Sequence, residues 1–181
     1  MSQPSLIPLV LRAEQCNPNK SAIIDADGSH SYGELLDSSA RVAASLLNGA
    51  VDMAEQRVAF LVPSSFGYAA TQWGIWRAGG VAVPLCTLHP PVEWEYVIEN
   101  SDAGVVVAHP DFAERLEPVA EKLGRRFLRL EEAMLSQPNS LPDVVPERSS
   151  MIVYTSGTTS KPKGVVTTHK ILSFQIQSLI E

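Results

Sequence analysis

Apolar residues fall into short, bounded runs along this chain, and longer amphipathic stretches separate them. Arg57-Val58-Ala59-Phe60-Leu61-Val62, Val81-Ala82-Val83 and Val105-Val106-Val107 read as buried strands. Between the first two, Ser65 to Ala78 is helical in spacing and Gly79-Gly80 ends it as a C-cap. Two strands bracketing a helix of that length form a βαβ unit, with a right-handed crossover and a parallel pair. The pattern repeats. Pro90-Pro91 opens a helix through Trp94 and Ile98, Asp111 caps another that runs to Leu123, and Phe127-Leu128 begins a further apolar segment. An α/β architecture follows, a parallel sheet with helices on both faces.

The ends of the chain are built differently. Leu6 to Ala13 predicts a short helix that stops before Asn17-Pro18. Ala22-Ile23-Ile24 with the turn Asp27-Gly28 predicts a hairpin, and Ser31 with Glu34 forms a capping box. The helix it opens carries Leu35, Val42, Ala43, Leu46 and Leu47 on one face. Ser136 to Pro146 is rich in proline and polar residues and reads as a connector. It leads to Met151-Ile152-Val153, a loop, Val165-Val166, and a last helix that Thr167 or Thr168 caps, with Leu172, Ile176 and Leu179 along one face.

Composition narrows the class of molecule. At 181 residues and 45% hydrophobic the chain can bury a core, and no run is long and apolar enough for a transmembrane segment. A net charge of −6 and a pI near 5.2 argue against a nucleic-acid partner. Cys16 and Cys86 form no CxxC, and His30, His89, His109 and His169 lack a ligand spacing, so free thiols and no metal site are expected. With no signal-like N-terminus, the expected compartment is the cytoplasm, with mitochondria as the alternative. The aromatics Trp73, Trp76, Trp94 and Tyr96 read as core packing, and His89 as a loop residue.

The chemistry gathers in Tyr154-Thr155-Ser156-Gly157-Thr158-Thr159-Ser160-Lys161-Pro162-Lys163-Gly164. Small hydroxyl side chains and glycines between two β-prone segments offer backbone N–H groups and hydroxyls in one concavity, a nest suited to an anion. Lys161 and Lys163 add positive charge, and no Asp or Glu occurs from Met151 to Ile180. A polyphosphate suits that field. The loop is not G-x-x-x-x-G-K-[ST], because Pro162 stands where the second glycine belongs.

It resembles instead the Y-T-S-G-T-T-G-x-P-K-G loop of the adenylate-forming superfamily, which includes acyl-CoA synthetases, peptide-synthetase adenylation domains and luciferases. Ser160 replaces the usual glycine. Tyr32 to Leu35 is similar to the family's opening helix, and the run from Trp73 to Pro84 to that of acyl-CoA synthetases, most closely those that activate malonate. The resemblance covers Leu6 to Glu181 and implies an incomplete N-terminal part of the family's large domain, a partial AMP-binding domain over residues 1–181. It implies an ATP-dependent acid:CoA ligase that works through an acyl-adenylate on a small carboxylic acid, with ATP, Mg²⁺ and coenzyme A, the last two without sites in this chain. Thr155, Ser156, Gly157, Thr158 and Thr159 would then supply donors to the phosphates and Lys163 the catalytic counter-charge, with Ser160, Lys161 and Gly164 completing the binding loop. Lys161 reads equally as a solvated loop lysine. An amino-acid activating module and a truncated, non-catalytic product are the competing readings, and residues 1–181 alone are expected to be inactive.

Overall fold

The computed structural model describes residues 7–155 and 161–180. Helix α1 (Pro8–Glu14) precedes a hairpin of β1 (Ser21–Asp25) and β2 (Gly28–Ser31) and then α2 (Tyr32–Leu47). The predicted capping box is present: Ser31 Oγ accepts from the Glu34 amide, and a Glu34 carboxylate oxygen accepts from the Ser31 amide at 2.6 Å. There follow β3 (Arg57–Leu61), α3 (Phe66–Arg77), β4 (Val81–Pro84), α4 (Pro91–Asn100), β5 (Val105–Ala108), α5 (Pro110–Lys122), β6 (Arg126–Arg129), α6 (Leu130–Met134), β7 (Ser149–Thr155), β8 (Lys163–Thr168) and α7 (His169–Ile180).

The main sheet has the order β6-β5-β3-β4-β7-β8. Its first five strands are parallel, and β8 returns antiparallel along β7 as the edge strand. A connection as short as 156–162 permits only that direction, because a parallel pair needs a crossover. Strand alternation sorts the core into two layers. Val58, Phe60, Val105 and Val107 pack against α1, α2, α3 and α6, whereas Ala59, Leu61, Val83 and Val106 pack against α4 and α5. Both faces of β3, β4 and β5 are therefore covered, as the apolar runs predicted, whereas the edge strand β8 leaves Val165 and Val166 exposed.

Two local details differ from the sequence reading. The N-cap of α5 is His109 rather than Asp111: its Nδ1 accepts from the Asp111 amide at 3.3 Å. Pro110 is the reason, since proline has no N–H and a fixed φ suited to the first helical position, which places the cap on the residue before it, two positions ahead of Asp111. The short helix α6 is the second, appearing where the pattern announced only an apolar segment. Of the two threonines before α7, Thr168 is the one that caps, its Oγ1 accepting from the Ile171 amide at 3.2 Å.

The turn that ends α3 also positions β7. Gly79 has φ +79, and the amides of Gly80 and Gly79 donate to the carbonyls of Ile75 and Trp76, a Schellman closure. A Cβ at Gly79 would fall on Asp52 Oδ1. That carboxylate holds Arg148 in two bonds of 2.7 and 3.0 Å, and Arg148 also donates to the Gly79 carbonyl at 2.7 Å. The residue that precedes β7 is thereby fixed.

Candidate functional site at the β7–β8 hairpin

The root of the hairpin is held from several sides. Trp76 Nε1 donates to the Ser150 carbonyl at 2.7 Å, Ser150 Oγ to the Thr167 carbonyl at 2.9 Å, and the Ser149 amide to Glu55 Oε1 at 2.7 Å. The Arg148 guanidinium holds the Asp52 carboxyl below its usual range, and the Ser149 amide does the same for Glu55. His169, the first residue of α7, is 2% exposed, stands edge-on to Trp76 at 5.5 Å, and its Nε2 has no hydrogen-bond partner. Burial, with the nearby Arg148 charge, pushes its pKa down to about 4. Its ring stays neutral at pH 7.

From that root the strands run in register to the loop: Met151 faces Thr167, Val153 faces Val165, Tyr154 faces Gly164 and Thr155 faces Lys163. Gly164 is small for a reason. A Cβ there would lie 2.8 Å from Ile152 Cγ2 and 3.3 Å from the Tyr154 ring, so only glycine lets the ring lie across the pair. The Tyr154 hydroxyl donates to Asn100 Oδ1 of α4 at 2.7 Å, and burial pushes its pKa up, so it remains a donor. Alternation turns Thr155 and Lys163 to the opposite face from Tyr154.

A cavity of about 600 Å³ opens at the carboxyl ends of β4 and β7, between the hairpin and α4. Thr155, Lys161, Tyr96, Cys86 and the His89–Glu93 pair are on its wall. Open parallel sheets take their ligands at this end of the strands. Lys161 Nζ sits 5.3 Å above the Tyr96 ring. Pro162 is tied to the same tyrosine, whose hydroxyl donates to its carbonyl at 3.0 Å. The cavity's shape on the other side comes from Trp94, a buried core residue whose indole donates to the Cys86 carbonyl at 2.8 Å.

Of the residues expected to form the site, Thr155 and Lys161 line the cavity, while Lys163 and Gly164 belong to β8 and are not on its wall. Ser156, Gly157, Thr158, Thr159 and Ser160 lie outside the described residues. The expectation that the aromatics are core packing holds for Trp76 and Trp94 and for Trp73, which packs half-buried against the core. Tyr96 packs half-buried against the core too, and in addition its hydroxyl and ring meet the loop at Pro162 and Lys161. His89 is in a loop as expected, but the sequence reading missed the cavity around it. The fold also brings an acid to a segment without one: Glu93 is on the cavity wall, with a carboxylate oxygen 2.9 Å from His89 Nδ1. Cys16 and Cys86 are free, and no group of three or more His, Cys, Asp or Glu suited to a metal ion occurs among the described residues. No helix among them is long and apolar enough to cross a membrane.

A second cavity, of about 450 Å³, lies at the carboxyl ends of β3 and β5. Asp25 there accepts from the amides of Phe66 (2.8 Å) and Asp27 (3.0 Å) and contacts His30 Nε2 at 3.1 Å. These bonds, the Phe66 amide first, lower the Asp25 pKa. With the His30 ring stacked on Phe66 at 4.3 Å, they dock the β1–β2 hairpin on α3.

Known proteins are similar to this chain in sequence and in fold. The human protein named malonate–CoA ligase ACSF3, mitochondrial, is 39% identical over 175 residues, covering 90% of this chain and 30% of its own length. The malonate–CoA ligase of Arabidopsis thaliana is 32% identical, over 93% of this chain and 32% of its own. The crystal structure of ATP-bound MatB from Rhodopseudomonas palustris superimposes with a TM-score of 0.83 at 28% identity, over 96% of this chain and 37% of that one. The chain thus spans about a third of the length of these relatives, and the fold it matches is the N-terminal part of adenylate-forming enzymes. The model of the family described as AMP-binding enzyme matches residues 11–180, and the chain belongs to that family.

Proposed function

We propose that this chain forms the ATP-phosphate end of an ATP-dependent acid:CoA ligase, with malonate as the favoured acid. The observation that carries the reading is the β7–β8 hairpin, anchored at its root and opening with Thr155 and Lys161 onto a cavity at the carboxyl end of a parallel sheet. The names of the human and Arabidopsis thaliana relatives support the choice of acid. Mitochondria, which the human relative's name states, are the alternative compartment to the cytoplasm.

In this reaction a carboxylate oxygen attacks the α-phosphorus of ATP, and the bond to the bridging oxygen breaks, releasing pyrophosphate. The acyl-adenylate then yields its acyl group to the thiol of coenzyme A, with AMP as the leaving group. Negative charge grows on the departing pyrophosphate. Donors held in place before the reaction stabilise that charge without reorganising during it. The proposed donors are the amides and hydroxyls of Thr155, Ser156, Gly157, Thr158, Thr159 and Ser160, with Lys163 as the counter-charge and Lys161 beside it. Gly164 contributes by admitting the Tyr154 ring. Mg²⁺ would enter with the phosphates; no group of three or more His, Cys, Asp or Glu suited to it occurs among the described residues.

Titration calorimetry of the chain with ATP, pyrophosphate and malonate tests the reading. ATP and pyrophosphate are expected to compete for one site, and malonate alone to give no heat. Absence of binding by both phosphates at about 1 mM, a free energy near 4 kcal/mol, would contradict it.

A further inference from the structure

Helix α4 meets the loop on both of its arms. Tyr96 and Asn100 are one helical turn apart on α4, so their side chains project from the same side. Asn100 Oδ1 accepts from the Tyr154 hydroxyl on the entry arm at 2.7 Å. Tyr96 donates to the Pro162 carbonyl on the exit arm at 3.0 Å. Proline has no N–H, so that carbonyl is the only backbone polar group by which position 162 can be held. The two tyrosine rings stand edge-on at 6.4 Å, and the face of Tyr96 lies 5.3 Å below Lys161 Nζ. An ammonium over an aromatic face is attracted by the ring's quadrupole.

These contacts exceed what core packing requires. A phenylalanine would fill the half-buried volume of Tyr96 and pack as well against its apolar neighbours, but could not hold Pro162. We infer that Tyr96 is a positioning residue: its hydroxyl fixes the exit arm of the loop, and its ring keeps the Lys161 ammonium at the wall of the cavity. Asn100 and Tyr154 fix the entry arm in the same way. The consequence for ligand binding rests on the phosphate-binding role proposed above. A loop that must present several donors at once loses much of its effect when its ends shift by a fraction of an ångström.

The test compares the chain with Tyr96→Phe and Tyr96→Leu by amide hydrogen exchange and by pyrophosphate titration. With Tyr96→Phe, exchange at Lys161, Lys163 and Gly164 is expected to accelerate by about three- to tenfold, the worth of one hydrogen bond. Exchange in β3 should not change. Pyrophosphate affinity should fall by a similar factor, and Tyr96→Leu should lower it further because the face under Lys161 is lost as well. A fall in stability alone would speed exchange in β3 and in the loop together, which separates positioning from a general packing role. Equal loop exchange in the chain and in Tyr96→Phe overturns the inference, whatever the affinities do. Faster loop exchange with no pyrophosphate binding by any of the proteins overturns the phosphate reading and leaves Tyr96 as the anchor of the loop.

Discussion

His169 is expected to make the protein sensitive to mild acid, and His169→Phe should remove that sensitivity. In the folded protein the ring is buried against Trp76, with Arg148 and Glu55 as its charged neighbours, and its pKa falls from 6.5 to about 4. The unfolded chain therefore takes up this proton at higher pH than the folded one does. Stability is complete above about pH 6.5 and declines as pH drops through the window to about 4. At 1.36 kcal/mol per pKa unit the whole loss is about 3 kcal/mol, most of it by about pH 4.5. The carboxylates act lower down. Asp52 and Glu55 have folded pKa values below their ordinary 3.8 and 4.5, so the stability they contribute is lost only as pH falls through and below those values. Phenylalanine keeps a ring on Trp76 and forfeits no bond at Nε2, which has none. Urea unfolding followed by tryptophan fluorescence between about pH 7.5 and 4.5 would give both slopes. The parent is expected to lose stability across the window and His169→Phe to stay nearly flat. A parent that loses nothing between pH 6.5 and 4.5, or a variant that loses as much, would refute the assignment.

Gly79→Ala should lower stability by about 3 kcal/mol in a thermal or urea melt, since a positive φ costs about 1–2 kcal/mol and the new Cβ displaces Asp52 from Arg148; a variant within 1 kcal/mol of the parent would remove that turn from the account. Lys163→Ala should weaken ATP binding by about 1 kcal/mol, roughly fivefold, the worth of an exposed charge acting through water on a phosphate at about 4 Å under the proposed role. In a complete ligase the same change is expected to cost about 2–4 kcal/mol in adenylate formation and to spare thiol transfer, and equal pyrophosphate-exchange rates would sink the role. Ser160→Gly should leave ATP affinity unchanged or slightly tighter by calorimetry, as glycine relaxes any positive φ at that position, and a large loss would mean that the serine makes a contact of its own.

The doubly covered sheet was legible because its parts are local. Val58 to Val62 and Val105 to Val107 are continuous apolar runs, and Gly79-Gly80 marks the end of the helix between β3 and β4. The arms of the loop were legible because Met151 to Val153 and Val165-Val166 are β-prone runs, and they pair as β7 and β8. Its surroundings were not, since α4 shows apolar spacing that identifies a helix without saying which side meets the hairpin. Tyr96 and Asn100 reach residues 162 and 154 only through the order of strands in the sheet. Glu93 escaped for the same reason: a count of acids within Met151 to Ile180 is silent on those brought from another element. His169 reads from sequence as an ordinary polar residue at a helix start, and only its packing under Trp76 shows that it is buried and neutral.

The most direct measurement is a two-dimensional amide NMR titration of the chain with pyrophosphate. The account predicts that the resonances of Thr155, Lys161, Lys163 and Gly164, together with those between Ser156 and Ser160, move together with one dissociation constant, while Asp25, Phe66 and His109 around the second cavity stay in place. Shifts centred on that second cavity, or none at the hairpin, would contradict it.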